Sequence, residues 1–177
     1  MDYQEIGERR RQLRIDGFAT LADVGFDGDW VSPYQISSRS KTGPVLLALH
    51  WLDVSSITQH HAILTKLGFL PGILFNKVLG QALVESGLTR SHIYVTQAFH
   101  LLPKEQRSEG ISRANVDISF DQVTRHELSG RRVIALGGVA TAACRRHGIS
   151  HTVVCHPSAR GRTISDKALE IGTALAG

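Results

Sequence analysis

Hydrophobic positions along this chain fall into short unbroken runs separated by stretches with helical spacing. Val45-Leu46-Leu47-Ala48-Leu49 is continuously apolar and too short for a buried helix, so it predicts a strand covered on both faces. His92-Ile93-Tyr94-Val95-Thr96, Arg132-Val133-Ile134-Ala135-Leu136 and Thr152-Val153-Val154-Cys155 predict three more strands. Between the first two runs the period changes. Residues 72–86 place Ile73, Leu74, Val78, Leu79, Ala82 and Leu83 on one helical face, and Gly87 supplies a stop. Helices are also predicted over 119–128, 139–146 and 163–176, and a charged one over 4–21 with Ile6, Leu13 and Phe18 among its few apolar positions. Strands alternating with helices predict an α/β fold: a three-layer α/β/α arrangement with a central, mostly parallel four-stranded sheet. The expected organisation is one domain over 1–177. Residues 1–43 supply the N-terminal helix and an irregular loop rich in Gly, Ser, Pro and aromatic residues, and 44–177 supply the α/β core.

Composition narrows this picture. The chain has 177 residues, 42% hydrophobic and 20% charged, which excludes a disordered tail and suits one full core. Residues 1–14 are charged with no apolar leader, and no run reaches membrane-spanning length, so a cytoplasmic protein without membrane contact is expected. Cys144 and Cys155 cannot make a four-cysteine zinc or iron–sulfur site. Among the nine histidines, His60-His61, His147, His151 and His156 are the ones that could be assembled with Cys155 around a metal. Neighbours on a strand point to opposite faces, so Cys155 and His156 do not ligate together, and neither metal nor cofactor is expected. The net charge of +4 says little, but its distribution says more. From Arg125 to Arg162 there are seven arginines and one acid, Glu127. That is either a phosphate-facing surface or a solvated arginine-rich face.

In parallel sheets ligands sit beyond the carboxyl ends of the strands, which directs attention to residues 50–56, 97–99, 137–138 and 156–162. Gly137-Gly138 joins a strand to a helix; its amides could hold an anion, or the pair could simply make a tight turn. No GxGxxG pattern and no acid at the required distance accompany it, which argues against a dinucleotide site. The most informative segment is His156-Pro157-Ser158-Ala159-Arg160-Gly161-Arg162. A histidine at a strand end, a proline fixing the turn, a hydroxyl and two arginines all project from one loop.

This segment resembles the uracil-DNA glycosylase motif in which a strand ends in His-Pro-Ser followed by a residue that wedges into DNA. Val133-Ile134-Ala135-Leu136-Gly137-Gly138-Val139-Ala140 is similar to the strand–Gly–helix segment that precedes that motif. His92-Ile93-Tyr94-Val95-Thr96-Gln97-Ala98 resembles the family's middle strand, and residues 72–87 its helix between the first two strands. The resemblance spans about Pro44 to Arg162, in order. It implies a monomeric DNA-binding enzyme that flips a pyrimidine nucleotide and hydrolyses its glycosidic bond. His156 would donate to the base oxygen as charge builds there, and Asp53 would stabilise the sugar cation or hold the attacking water. Gln97 would read the base, Phe69 would stack on it, and Trp51 would line the pocket. Ser56, Gly137, Gly138, Ser158 and Arg162 would meet phosphates, with Arg160 as the wedge.

The chain departs from the family pattern in its first-strand motif, Gly-x-Asp/Asn/Ala-Pro-Tyr/Gly. It lacks that Gly and Pro, and Asp53 aligns only with one residue inserted, so a surface aspartate is an equal reading. Gln97 replaces the base-reading asparagine, one methylene longer, and the iron–sulfur cysteines of some branches are absent. These departures point to a modified, bulkier pyrimidine rather than plain uracil. The alternatives are an inactive glycosylase-like DNA-binding module and a nucleotide or nucleoside hydrolase.

Overall fold

Each apolar run is a strand in the computed structural model, which describes residues 2–104 and 110–177. The strands are β1 (Val45–Ala48), β2 (Tyr94–Gln97), β3 (Val133–Leu136) and β4 (His151–Val154), all parallel, in the order β2-β1-β3-β4. The pleat sorts their side chains into two layers. Leu46, Ala48, Val95, Ile134, Leu136 and Val154 pack toward helices α2 (Val54–Leu67), α3 (Leu74–Glu85) and α7 (Ile164–Ala176). Val45, Leu47, Tyr94, Val133 and Ala135 pack on the other face, against α4 (Arg113–Ser119), a π-turn (Phe120–Thr124), α5 (Arg125–Leu128) and α6 (Gly138–Arg146). Leu46, Leu47 and Ile134 are fully buried, each contributing about 1.5–3 kcal/mol. Helices therefore cover both faces, and the fold is α/β/α.

α3 and α7 approach closely because Gly172 has no side chain; a Cβ there would sit 3.1 Å from the Ala82 carbonyl. The outer edge of β2 is closed by residues 38–40, with Ser40 N donating to Ile93 O and Val95 N to Ser38 O. α1 (Tyr3–Gln12) stops far short of residue 21: fully buried Leu13 is extended, and Gly17 has a φ of +87° that no helix accommodates. The predicted helix over 119–128 begins at Arg113 instead, where Ser112 Oγ accepts the Asn115 N–H at 3.1 Å. α2 has no counterpart in the hydrophobic pattern, because only Ser56, Ile57 and Leu64 of its residues are buried. β2 begins at Tyr94, since Arg90–His92 form a 3-10 turn.

On the α4–α5 face a buried carboxylate ties the layers together. Glu127 accepts from Tyr94 Oη (2.6 Å), Thr96 Oγ1 (2.8 Å) and Gln35 Nε2 (2.9 Å). His100 Nε2 lies 3.2 Å from Glu127 Oε2 but off the hydrogen-bonding direction. No helix among the described residues is long and apolar enough to cross a membrane.

Candidate active site

At the carboxyl end of the sheet, the segments leaving β1 and β4 enclose a cavity of about 480 Å³. Its wall holds Tyr34, Leu49, His50, Trp51, Leu52, Asp53, Ser56, His60, Leu70, Ile73, Phe75, His156 and Ser158. The β4 side is set by a tight turn: Ala159 N donates to His156 O at 2.9 Å, and Ser158 N donates to His156 Nδ1 at 3.0 Å. With Nδ1 occupied as an acceptor, the proton of the neutral ring resides on Nε2, the nitrogen left for a ligand. Burial, aided by the nearby Lys167 ammonium, pushes His156 below the ordinary histidine value, so the ring is neutral at pH 7.

Four features hold this ring and its loop. Gly137, with φ at +84°, backs directly onto it, and a Cβ at 137 would lie 2.8 Å from His156 Cβ. Lys167 of α7, almost completely buried, donates to Ala159 O at 3.1 Å. Glu170 of the same helix accepts the Cys155 N–H at 2.6 Å and an ion pair from Arg162. Phe75 places its ring 5.7 Å from the imidazole and is itself stacked on Tyr34 at 5.9 Å.

On the β1 side, Asp53 caps α2. Its Oδ1 accepts the Ser56 N–H (2.9 Å) and its Oδ2 the Ser56 Oγ–H (2.8 Å), in a buried setting rather than on the surface. Trp51 is fixed by Nε1 donating to Gly68 O at 2.9 Å and by Phe26, 5.2 Å away. His50 stands two residues beyond β1; its Nδ1 is buried with no partner among the described residues. Burial lowers its pKa, Asp53 opposes that and His156 adds to it.

Asp53, Ser56, Trp51, His156 and Ser158 thus come together on one cavity. Other expected site residues lie elsewhere. Gln97 is buried below the wall, its Oε1 accepting from Ser32 Oγ at 2.8 Å. Phe69 lies under the Arg90 guanidinium, 3.4 Å from its ring centre, and Phe75 is the aromatic beside His156. Gly137 supports His156 from behind, and Gly138 opens α6. Arg160 is exposed, whereas Arg162 is held by Glu170. Arg125, Arg131, Arg132 and Arg146 are likewise bonded within the chain, to Asp121, Ser40 O, Ala174 O and Asp117. Of the C-terminal arginines only Arg145 and Arg160 are left without a bond among the described residues.

No protein-family model matches the chain, and no curated protein does so either. The chemistry of this pocket therefore rests on its residues. Tyr34, Phe75 and Lys167 were not singled out by the sequence pattern, and His50 only as part of the stretch 50–56. For His50 a signal existed, since it stands first after the apolar run 45–49. For the other three no local signal existed.

Proposed function

We propose that this protein is a DNA N-glycosylase that excises a pyrimidine, favouring a modified one, by hydrolysing the bond between base and sugar. It would act as a cytoplasmic monomer without a cofactor. The observation that carries this reading is the state of His156: a neutral ring whose Nδ1 is occupied, leaving Nε2–H as a donor on a cavity that a buried carboxylate also lines. As the glycosidic bond breaks, its electron pair moves to the base and negative charge builds on a carbonyl oxygen. A preorganised donor that pays no reorganisation at that moment stabilises the charge. Asp53 supplies opposite electrostatics, a fixed negative charge for a sugar becoming cationic. Phe75, backed by Tyr34, offers an aromatic surface for an extruded base. A cavity of about 480 Å³ is of the size that holds small molecules, with room beyond a bare pyrimidine ring.

One observation favours a second reading, a hydrolase of free nucleosides or nucleotides: most C-terminal arginines are engaged within the chain. The deciding experiment is base release from DNAs carrying uracil, damaged pyrimidines and bulky 5-substituted pyrimidines, run beside the free nucleosides and detected as alkali-labile abasic sites or free base. Release from DNA is expected, with affinity falling as salt rises. His156→Ala is expected to lower the rate about 10²–10³-fold, the range for losing one such donor. Release from nucleosides alone, without salt dependence, would establish the second reading. DNA binding with no release would identify a recognition module instead. Plain uracil as best substrate by a wide margin would remove the preference for modified bases.

A further inference from the structure

We infer that His50 accepts the proton of the attacking water, so that the site works with two imidazoles of opposite task. The inference rests on the glycosylase reading and assigns a residue to a step which that reading leaves with Asp53. Both oxygens of Asp53 are already engaged: Oδ1 takes the Ser56 amide at 2.9 Å and Oδ2 the Ser56 hydroxyl at 2.8 Å. A proton taken by either oxygen would compete with the bonds that cap α2. Asp53 is suited to stabilise a cation and ill suited to receive a proton.

His50 has the complementary properties. It follows β1 by two residues, lines the same cavity as Asp53 and His156, and its Nδ1 is buried without a partner among the described residues. Neutral imidazole always has one nitrogen that accepts. Nδ1 is closed to solvent, so the nitrogen open to a water in the cavity is Nε2, to which no described residue is bonded. The charged and titratable groups around it are Asp53 and His60 of α2, Tyr34, and His156, with Lys167 of α7 behind His156. Burial keeps the free ring unprotonated at neutral pH, with Asp53 opposing and His156 reinforcing the effect. A base must be unprotonated to act.

The step balances as follows. The C1′–N bond breaks and its electron pair leaves with the base, whose carbonyl oxygen receives the hydrogen bond from His156 Nε2. The water oxygen forms the new C1′–O bond while one water proton passes to His50. The resulting imidazolium gives that proton through solvent to the departed base anion. The products are the free N–H base and an abasic sugar; His50 returns to its neutral form, and His156 stays neutral throughout.

The test uses the full chain and the DNA from which the wild type releases a base, under single-turnover conditions. His50→Gln keeps a polar amide but cannot carry the proton. Its rate is expected to fall about 100-fold, with DNA affinity changed less than about threefold. The wild-type rate should rise with pH through a limb below the ordinary histidine value of 6.5. That limb should vanish in H50Q and persist in the residual activity of H156Q. Melting curves establish that each variant is folded, and H50N takes the place of H50Q should the latter not fold. A folded H50Q with wild-type rate and an unchanged acid limb would overturn the inference while leaving the glycosylase reading standing. A wild type that releases no base would overturn that reading, and this inference with it.

Discussion

At the scale of single residues the site depends on one position with no side chain. Gly137 adopts φ +84° and ψ 178°, a region open essentially to glycine alone, and it lies where the His156 ring needs space. Gly137→Ala meets both obstacles: a strained backbone and a Cβ 2.8 Å from His156 Cβ, which is not the yielding tip of a flexible chain. The strain alone costs about 1–3 kcal/mol, and relief of the clash must displace the imidazole. G137A is therefore expected to melt earlier and to lose activity together, whereas a substitution at Gly138 meets nothing within 4 Å. Calorimetry of G137A beside G138A checks this, and equal melting of the two would refute it. Thus the glycine pair that reads either as an anion nest or as a tight turn is used, at its first position, as room for a neighbouring strand's histidine.

At the scale of elements, α7 operates as a clamp on the His156 loop through Lys167 and Glu170. Lys167→Met removes the donor to Ala159 O together with a buried positive charge. Those effects oppose each other in stability, so melting is expected to move little. The imidazole is the better reporter. Lys167 adds to the burial that holds His156 below the usual histidine range, and its removal is expected to raise the His156 pKa. NMR titration of the ring protons reads this directly, and an unmoved midpoint would show that α7 acts through geometry alone. The clamp also illustrates what the chain's pattern could reveal. β1, β2 and β3 were legible because parallel strands buried on both faces leave unbroken apolar runs, β4, exposed at Thr152 and Val153, from its β-branched run before His156, and α3, α6 and α7 because their apolar positions recur at helical spacing. α2 was not, since it shows solvent a face of Gln59, His60 and His61 and buries little. His156, Ser158 and Asp53 were legible from their place after strands. Gln97 also follows that rule, yet it belongs to β2 itself and is bonded to Ser32, which no local pattern reveals. Lys167 looks like an ordinary helical lysine until α7 is packed against the loop, and Phe75 differs from Phe69 only through tertiary contacts.

At the scale of the whole molecule, titratable groups on both faces of the sheet confine stability to a window of pH. On the pocket face, burial lowers His50 and His156 below 6.5, so an unfolded chain binds their protons first. Stability from these groups is complete above pH 6.5 and is lost as pH falls through their folded values. On the α1 and α4–α5 face, burial raises Tyr3 to about 12, and burial together with the Glu127 carboxylate raises Tyr94 further; on the pocket face burial raises Tyr34. A phenol held neutral in the fold ionises in the unfolded chain from its ordinary value of 10.0 upward. Stability is therefore full below pH 10 and lost above it, as the unfolded state releases protons the native state retains. The two limbs arise from different residues and can be separated. Tyr94→Phe removes the phenol that most resists ionisation, but it also deprives Glu127 of the donor at 2.6 Å. It is expected to lower melting at pH 7, by about 1–3 kcal/mol for a buried acceptor deprived of one partner, while making the decline above pH 10 shallower. The acid limb should stay where it was. Melting temperature measured across pH for wild type and Y94F checks the argument. An alkaline decline equally steep in both would assign it to groups other than the Glu127 cluster.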